Sequence, residues 1–164
     1  MATADTLNSG DIKTALSGHD AVAFCVGPRK GESKTILQDG IPIVLQAMGE
    51  LGIRRLIAIS SSGHLVNNDD PIGRFIAKPI LGLALKDINA DLAAMEKLIH
   101  SSDTDWTIVR PPRLLNSPAK GHYWQRRDGN VPWRYSITRE DLAQAMLDFL
   151  EDQSTVGHNI SVAN

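Results

Sequence analysis

The 164-residue chain has the length and composition of one globular domain, with 42% hydrophobic and 22% charged residues. Its formal net charge of −2 provides no overall attraction to nucleic acid or to an anionic membrane. The single cysteine, Cys25, excludes an internal disulfide and is typical of a reducing compartment. Since the chain opens with no signal peptide and contains no run of about 18 apolar residues, we expect a cytoplasmic protein.

Short apolar runs alternate with segments of helical periodicity along the chain. Continuous apolar runs bounded by turn residues are typical of buried strands, and apolar residues every three or four positions indicate helices. We expect helices at residues 11–16, 35–51, 86–100 and 139–151, and strands from Ala21 to Val26 and at 55–59, 106–109 and 158–162. This order predicts an α/β domain with a parallel sheet of three to four strands and helices on both faces.

The same pattern predicts which residues are buried. Cys25 lies inside the apolar strand from Ala21 to Val26, so we expect an inert buried thiol. The pairs Arg54–Arg55 and Arg126–Arg127 are expected on a solvated surface. Residues 113–136 are rich in Pro, Gly and Arg, which favours loops or a small hairpin.

Capping residues and an apolar stripe support the predicted helices. Gly52 is expected to end the helix at 35–51. Thr138 is expected to begin the helix at 139–151, with Asp141 three residues on as an imperfect capping box. The helix at 86–100 should present one apolar stripe, formed by Ile88, Leu92, Met95 and Ile99.

Several motifs occur in order along the chain. They are Gly18-His-Asp-Ala-Val22, Gly27-Pro28-Arg29, Ile57-Ala-Ile-Ser-Ser-Ser-Gly63, Asp105-Trp-Thr-Ile-Val-Arg-Pro-Pro-Arg113 and Ile137-Thr-Arg-Glu-Asp-Leu-Ala143. Together they resemble the NmrA-like, NAD(P)H-binding branch of the atypical short-chain dehydrogenases/reductases. The resemblance covers nearly the whole chain and implies a single Rossmann-like, three-layer domain over residues 1–164.

The glycine-rich start of that family is not found in this sequence. Its members open with a strand and a Gly-x-x-Gly-x-x-Gly turn, which brings backbone N–H groups to the cofactor pyrophosphate. None of the 13 glycines forms this pattern or Gly-x-Gly-x-x-Gly. We therefore expect a Rossmann-like domain truncated at its N-terminus. The family's first strand would normally lie beside the strand from Ala21 to Val26, so we expect a homodimer, a partner chain or a rearranged N-terminal segment to cover that edge.

The resemblance implies NADP or NAD as the cofactor, although the lack of the glycine turn also allows that no dinucleotide binds. The candidate cofactor-binding residues are Gly27, Pro28, Arg29, Arg110, Pro111 and Arg113. Arg110 and Arg113 flank a strand end on the ligand side, and Arg113 could either pair with an anionic group or form a structural salt bridge. Residues 27–35 are similar in placement to a P-loop. A nucleotide triphosphate site is nevertheless disfavoured, because Glu32 and Ser33 separate Gly31 from Lys34.

Candidate catalytic residues follow two of the strands. Ser61 or Ser62 matches the serine that hydrogen-bonds substrate in the family, or else satisfies backbone groups in a turn. Lys86 is in place of the lysine of a Tyr-x-x-x-Lys motif, but Gly82 occupies the tyrosine position, so that proton transfer is not supported.

Two histidines and a tyrosine complete the candidate set. His64 follows the serine turn and His122 lies after the third strand, and either could act as an acid or base or simply be solvated. Tyr123 would need the fold to deliver it to the site. No cluster has metal-ligand spacing.

Three functions remain open for this sequence. The first is an NAD(P)H-linked oxidoreductase that acts on a small carbonyl or flavin-like molecule. The second is a redox-neutral isomerase or cyclase that uses the same crevice without a conventional dinucleotide. The third is a non-catalytic regulatory module. The expected partner in each case is a small molecule rather than nucleic acid or a membrane.

Overall fold

The computed structural model describes residues 3–28, 33–62 and 86–164. The candidate residues Arg29 and His64 lie outside the described residues. The helices are α1 (Ser9–Leu16), α2 (Ile36–Leu51), α3 (Lys86–His100) and α4 (Arg139–Glu151). The strands are β1 (Ala21–Phe24), β2 (Arg55–Ile59), β3 (Asp105–Arg110), β4 (Arg113–Leu115), β5 (Trp124–Arg127), β6 (Ser136–Thr138) and β7 (His158–Ala163).

Five strands form the main sheet in the order β1-β2-β3-β7-β5. The first four are parallel, and β5 pairs with β7 in the antiparallel direction. Within the described residues, β1 is therefore an edge strand that pairs with β2 alone. The α/β class is confirmed, and its parallel part has four strands.

Helices cover both faces of the sheet, because successive side chains of a strand point to opposite sides. On one face, α1, α2 and α3 enclose a cluster that includes Leu56, Ala58 and Ile108. On the other face, α4 packs over Ile57 and Val109. Burying each large aliphatic side chain contributes about 2 kcal/mol, so these two clusters hold the strand ends in place.

The predicted helix ends at Gly52 and Thr138 are confirmed. Gly52 has a φ of 72°, the left-handed conformation that glycine adopts without strain. The hydroxyl of Thr138 accepts a hydrogen bond from the amide of Asp141 at 3.0 Å. In α3, Leu92, Met95 and Ile99 are buried as expected.

The prediction is wrong for the fourth residue of the stripe. Ile88, in the first turn of α3, is 39% exposed. The prediction of a buried Cys25 is also wrong. The strand β1 ends at Phe24 and buries only the face that carries Val22 and Phe24, so Cys25 follows it as an exposed residue. Partial burial nevertheless raises the pKa of this thiol, which disfavours its reactive thiolate form.

Two further predictions needed correction. Arg55 is buried rather than solvated, because its guanidinium lies beneath the last turn of α4 and donates to the carbonyl oxygens of Phe149 and Leu150. The small hairpin considered for residues 113–136 is not formed by β4 and β6, since these two strands pair in the parallel direction. Parallel strands need a long crossover connection, which β5 and its flanking loops provide.

Candidate functional site

The carboxyl ends of β1, β2 and β3 meet at one edge of the sheet. Gly27 and Pro28 follow β1, whereas the serine turn at residues 60–62 follows β2. The amide of Ser60 donates to the carbonyl oxygen of Val109 at 2.8 Å, and the amide of Ser62 donates to that of Pro111 at 3.0 Å. The fold thus brings Ser61 and Ser62 beside the segment that follows β3, as expected for a crevice at this edge.

Arg110 is buried and forms an ion pair at the end of β3. Its Nε donates to Oε1 of Glu96 at 3.0 Å, and its Nη2 donates to Oε2 at 2.6 Å. Both side chains are more than nine-tenths buried. This bidentate contact fixes α3 against the strand end from which Pro111 and Pro112 continue.

Arg113 is exposed and begins β4, two residues beyond Pro111. Its amide donates to the carbonyl oxygen of Tyr135 at 3.3 Å, which joins this segment to the chain before β6. A guanidinium at the rim of the crevice is well suited to an anionic group on a ligand.

His122 and Tyr123 lie together in a different place, beside α4. They line an open cavity of about 620 Å³ together with Ala119, Gly121, Glu140, Asp141, Gln144 and Asp148. The residues that line this cavity do not include the serine turn. His122 and Tyr123 therefore line a cavity that the serine turn does not line.

The environment of Tyr123 keeps its phenol protonated. Burial and the hydrogen bond to Asp148, with an Oη–Oδ2 distance of 2.6 Å, raise its pKa well above the ordinary value. The ring also stands edge-on to Phe149, with 6.1 Å between the ring centroids. A tyrosine that transfers protons near neutral pH needs a lowered pKa, which is the opposite situation.

Asp141 is the best connected residue of the cavity wall, and the sequence analysis considered it only as part of a capping pattern. Burial raises the pKa of its carboxyl, but the accepted hydrogen bonds outweigh this effect and lower it. The donors are the Thr138 hydroxyl at 2.6 Å, the amides of Lys120 at 2.9 Å and Gly121 at 3.0 Å, and the Asn164 side chain at 2.5 Å. The Thr-x-x-Asp spacing predicts the first contact, whereas the others depend on how distant loops fold.

Comparison with known proteins identifies the family. A family model described as NAD(P)H-binding matches residues 1–153. The chain belongs to this NAD(P)H-binding family. The sequence is 28% identical over 150 residues to a Bacillus subtilis protein described as an uncharacterized sugar epimerase, covering 88% of this chain and 63% of the other. The chain spans about three fifths of the length of the curated relatives that it matches.

Two solved structures of similar fold are described in terms of nicotinamide cofactors. One is a short-chain dehydrogenase/reductase from Veillonella parvula in complex with NADP, with 21% identity, a TM-score of 0.77 and coverage of 98% of this chain and 70% of that one. Another is a Rossmann-fold NAD(P)-binding family protein from Shigella flexneri, with 21% identity, a TM-score of 0.70 and coverage of 99% and 68%. These likenesses show that the fold is Rossmann-like.

One buried polar group at this edge of the sheet is compatible with the nicotinamide end of such a cofactor. Ser60 is only 6% exposed, and its hydroxyl has no hydrogen-bond partner in the described part of the chain. A buried hydroxyl without a partner costs about 1–3 kcal/mol. Together with Ser61, Ser62 and the exposed Arg113, it provides the hydrogen-bonding groups that a ribose, a carboxamide or a substrate carbonyl needs.

The start of α2 does not offer free backbone amides to the pyrophosphate of such a cofactor. Helix α2 follows the edge strand β1, where a phosphate could meet backbone amides. Its first amides are already occupied, because the buried carboxylate of Asp91 accepts from Leu37 at 3.0 Å and from Gln38 at 2.9 Å. Nearby, Lys34 pairs with Asp87 at 2.7 Å. These contacts also disfavour the P-loop alternative.

Lys86 is the first residue of α3, and its side chain is exposed. The described residues contain no group of His, Cys, Asp or Glu that could hold a metal ion. None of the described helices combines the length and apolar character needed to cross a membrane.

Proposed function

We propose that this chain forms the nicotinamide- and substrate-facing part of an NAD(P)H-dependent oxidoreductase that acts on a small carbonyl or conjugated molecule. The observation that carries the proposal is the hydrogen bond from the Ser62 amide to the Pro111 carbonyl oxygen at 3.0 Å. It joins the serine turn and the Arg-Pro-Pro-Arg segment into one crevice at the carboxyl edge of the sheet.

The residues of this crevice have distinct proposed roles. Ser61 and Ser62 donate hydrogen bonds to the nicotinamide carboxamide and to the substrate oxygen, and they stabilise the charge that develops on that oxygen. Gly27, Pro28 and Pro111 form the walls against which the nicotinamide ring lies, and Arg113 binds an anionic group. A bound nicotinamide supplies the hydride.

The first test is a titration of the purified chain with NADPH and NADH, followed by nicotinamide fluorescence and calorimetry. We expect saturable binding in the range from micromolar to submillimolar. The double substitution Ser61→Ala and Ser62→Ala should weaken binding about tenfold, which corresponds to the loss of about 1.4 kcal/mol. The matched control is Ser9→Ala, which removes an exposed hydroxyl in α1.

Absence of saturable binding at millimolar cofactor, with a cooperative unfolding transition retained, would overturn the proposal for this chain. Equal weakening by the Ser9→Ala control would also contradict it, because the effect would then not depend on the crevice. If the cofactor binds, consumption of NADPH with small carbonyl compounds tests the reaction itself.

A redox-neutral isomerase is a second candidate, favoured by one observation. The description of the Bacillus subtilis relative as a sugar epimerase agrees with such a reaction. Conversion of a sugar substrate without net change in NADPH absorbance would favour this candidate over the first.

A further inference from the structure

Aromatic and basic residues are concentrated in one part of the chain. Four of the five Trp and Tyr residues lie between positions 123 and 135. Residues 113–139 contain six basic residues and one acidic residue, although the whole chain has a net charge of −2. Such an uneven distribution indicates a surface that attracts anions rather than a uniformly solvated one.

Five of these residues form a surface that we call the aromatic–arginine surface: Arg113, Trp124, Trp133, Arg134 and Tyr135. The three aromatic side chains are 55%, 63% and 52% exposed in that order. The guanidinium carbon of Arg134 lies 4.8 Å from the centroid of the Trp124 ring, within the range of a cation–π contact. Large aromatic side chains are seldom left exposed together unless the surface binds something.

The backbone at Trp133 adopts an unfavourable conformation that presents its ring to solvent. Its φ is 60°, in the left-handed region that a bulky residue rarely occupies. A conformation of this kind is energetically unfavourable and is concentrated at sites of function. A glycine or an asparagine at this position would avoid the cost, so the tryptophan itself is the feature that needs an explanation.

The aromatic–arginine surface is continuous with the proposed crevice. The amide of Arg113 donates to the carbonyl oxygen of Tyr135, and the amide of Ser62 donates to that of Pro111. Arg113 is two residues from Pro111, a step of at most about 7 Å along an extended chain. A ligand held by Ser62 can therefore extend onto the surface.

We propose that the substrate is a planar, conjugated molecule with at least one anionic group, which stacks on Trp133 and Tyr135 and pairs with Arg113 and Arg134. This inference rests on the proposed function and adds the chemical class of the substrate. Every flat conjugated ring presents a face to an aromatic side chain, and stacking of the two faces stabilises the complex. Guanidinium groups bind carboxylate or phosphate through paired hydrogen bonds.

Protein partners and single-stranded nucleic acids also use tryptophan, tyrosine and arginine. The position of the surface favours a small molecule, because it begins two residues from the crevice rather than on a remote face. Either macromolecule is therefore an alternative outcome of the test.

The test uses three probes that separate stacking from charge: FMN, which is planar and anionic, riboflavin, which is planar and uncharged, and inorganic phosphate. Binding is measured by quenching of tryptophan fluorescence and by calorimetry. We expect FMN to bind most tightly, riboflavin about a hundredfold more weakly because it loses the contacts with both arginines, and phosphate least.

Three variants locate the binding. Trp133→Asn keeps a residue that tolerates the left-handed backbone and removes the ring, so it should weaken FMN and riboflavin equally, by about tenfold. Arg113→Gln and Arg134→Gln should weaken FMN by a similar factor and leave riboflavin within about twofold. The matched controls are Leu147→Asn and Lys97→Gln, which remove an exposed apolar and an exposed basic side chain from α4 and α3.

The proposal is overturned if FMN binds no more tightly than phosphate, or if the Trp133 and Arg113 variants bind FMN as the controls do. It is also overturned if a single-stranded oligonucleotide binds more tightly than FMN and loses affinity in the same variants. The NADPH titration tests the proposed function independently of this inference. Loss of FMN binding with NADPH binding retained removes only this inference, whereas FMN binding without NADPH binding removes only the proposed cofactor.

Discussion

Arg54 and Arg55 are neighbours in the chain, yet they lie in opposite environments. Arg54 is exposed and pairs with Asp105 at 3.0 Å. Arg55 is buried, and its Nε and both Nη atoms donate hydrogen bonds. The acceptors are the carbonyl oxygens of Asp105, Phe149 and Leu150 and the hydroxyls of Thr107 and Thr155. The buried guanidinium thereby satisfies carbonyl groups at the end of α4 that would otherwise lack donors.

Because the environments differ, replacing arginine by lysine should lower the free energy of unfolding by different amounts at the two positions. Arg55→Lys should lower the free energy of unfolding by about 3 kcal/mol, because an ammonium group cannot reach acceptors spread around a planar fork. Arg54→Lys should lower it by less than about 1 kcal/mol, as for other exposed ion pairs. Urea denaturation of both variants measures the difference, and equal losses would contradict it.

Asp141 predicts a dependence of stability on pH. Its pKa is lowered in the folded chain, so its contribution is complete above the unfolded value of about 3.9 and is lost as the pH falls through the lower folded value. Asp141→Asn should cost about 2 kcal/mol at pH 7 and flatten the acid limb of a stability profile. Glu140→Gln is the control, since that exposed carboxylate accepts one amide hydrogen bond, from Ala119. An unchanged acid limb in Asp141→Asn would refute this assignment.

At the scale of elements, α3 connects the two sides of the crevice. Asp91 of this helix caps the amides of Leu37 and Gln38 at the start of α2, and Glu96 pairs with Arg110 at the end of β3. Both acidic side chains are buried. The positions of the segments after β1 and β3 thus depend on one helix.

The Glu96–Arg110 pair predicts a specific pattern in a double-mutant experiment. Glu96→Gln alone should destabilise the fold by about 3 kcal/mol, because it leaves the Arg110 charge buried without its counter-ion. The double variant Glu96→Leu with Arg110→Met replaces the pair by apolar groups and should lose less stability than Glu96→Gln. Thermal unfolding measures both. A double variant that loses as much as the sum of Glu96→Leu alone and Arg110→Met alone would show that the two side chains act independently.

Local signals allowed some elements to be predicted closely. The bounds of α3 and α4 follow from a 3.6-residue period and from the cap at Thr138, which are properties of short segments. The strands within residues 113–136 were not predicted, because the parallel pairing of β4 with β6 joins segments separated by more than twenty residues. The burial of Arg55 likewise depends on α4, which lies about a hundred residues away along the chain.

The same distinction applies to the candidate site. Ser61, Ser62 and Pro111 could be placed at one edge because parallel strands end together. Tyr123 could not be placed, since its position depends on Asp148 and Phe149 in a helix that follows it in the chain. The family resemblance stated from the motifs is confirmed by the match over residues 1–153.

At the scale of the whole molecule, the sheet is asymmetric. Its β5 edge is antiparallel and carries two arginines, whereas β1 contains no charged residue. Val22 and Phe24 are buried on the face of β1 that the helices cover, whereas Ala23 on the opposite face is exposed. Uncharged edge strands readily pair with other strands, and proteins usually protect them with lysine, proline or a covering segment.

This asymmetry predicts self-association through β1. Backbone N–H and C=O groups on its outer side would gain partners in a second copy, and the small side chains of Ala21 and Ala23 would allow close approach. We therefore expect a homodimer in light scattering after size-exclusion chromatography. Ala23→Lys should shift it toward monomer, because a charge on the edge strand opposes pairing, whereas Leu147→Lys on the exposed side of α4 should leave it a dimer. A wild-type chain that stays monomeric across the concentration range would rule out this pairing, since a second copy can cover the edge only if the copies associate.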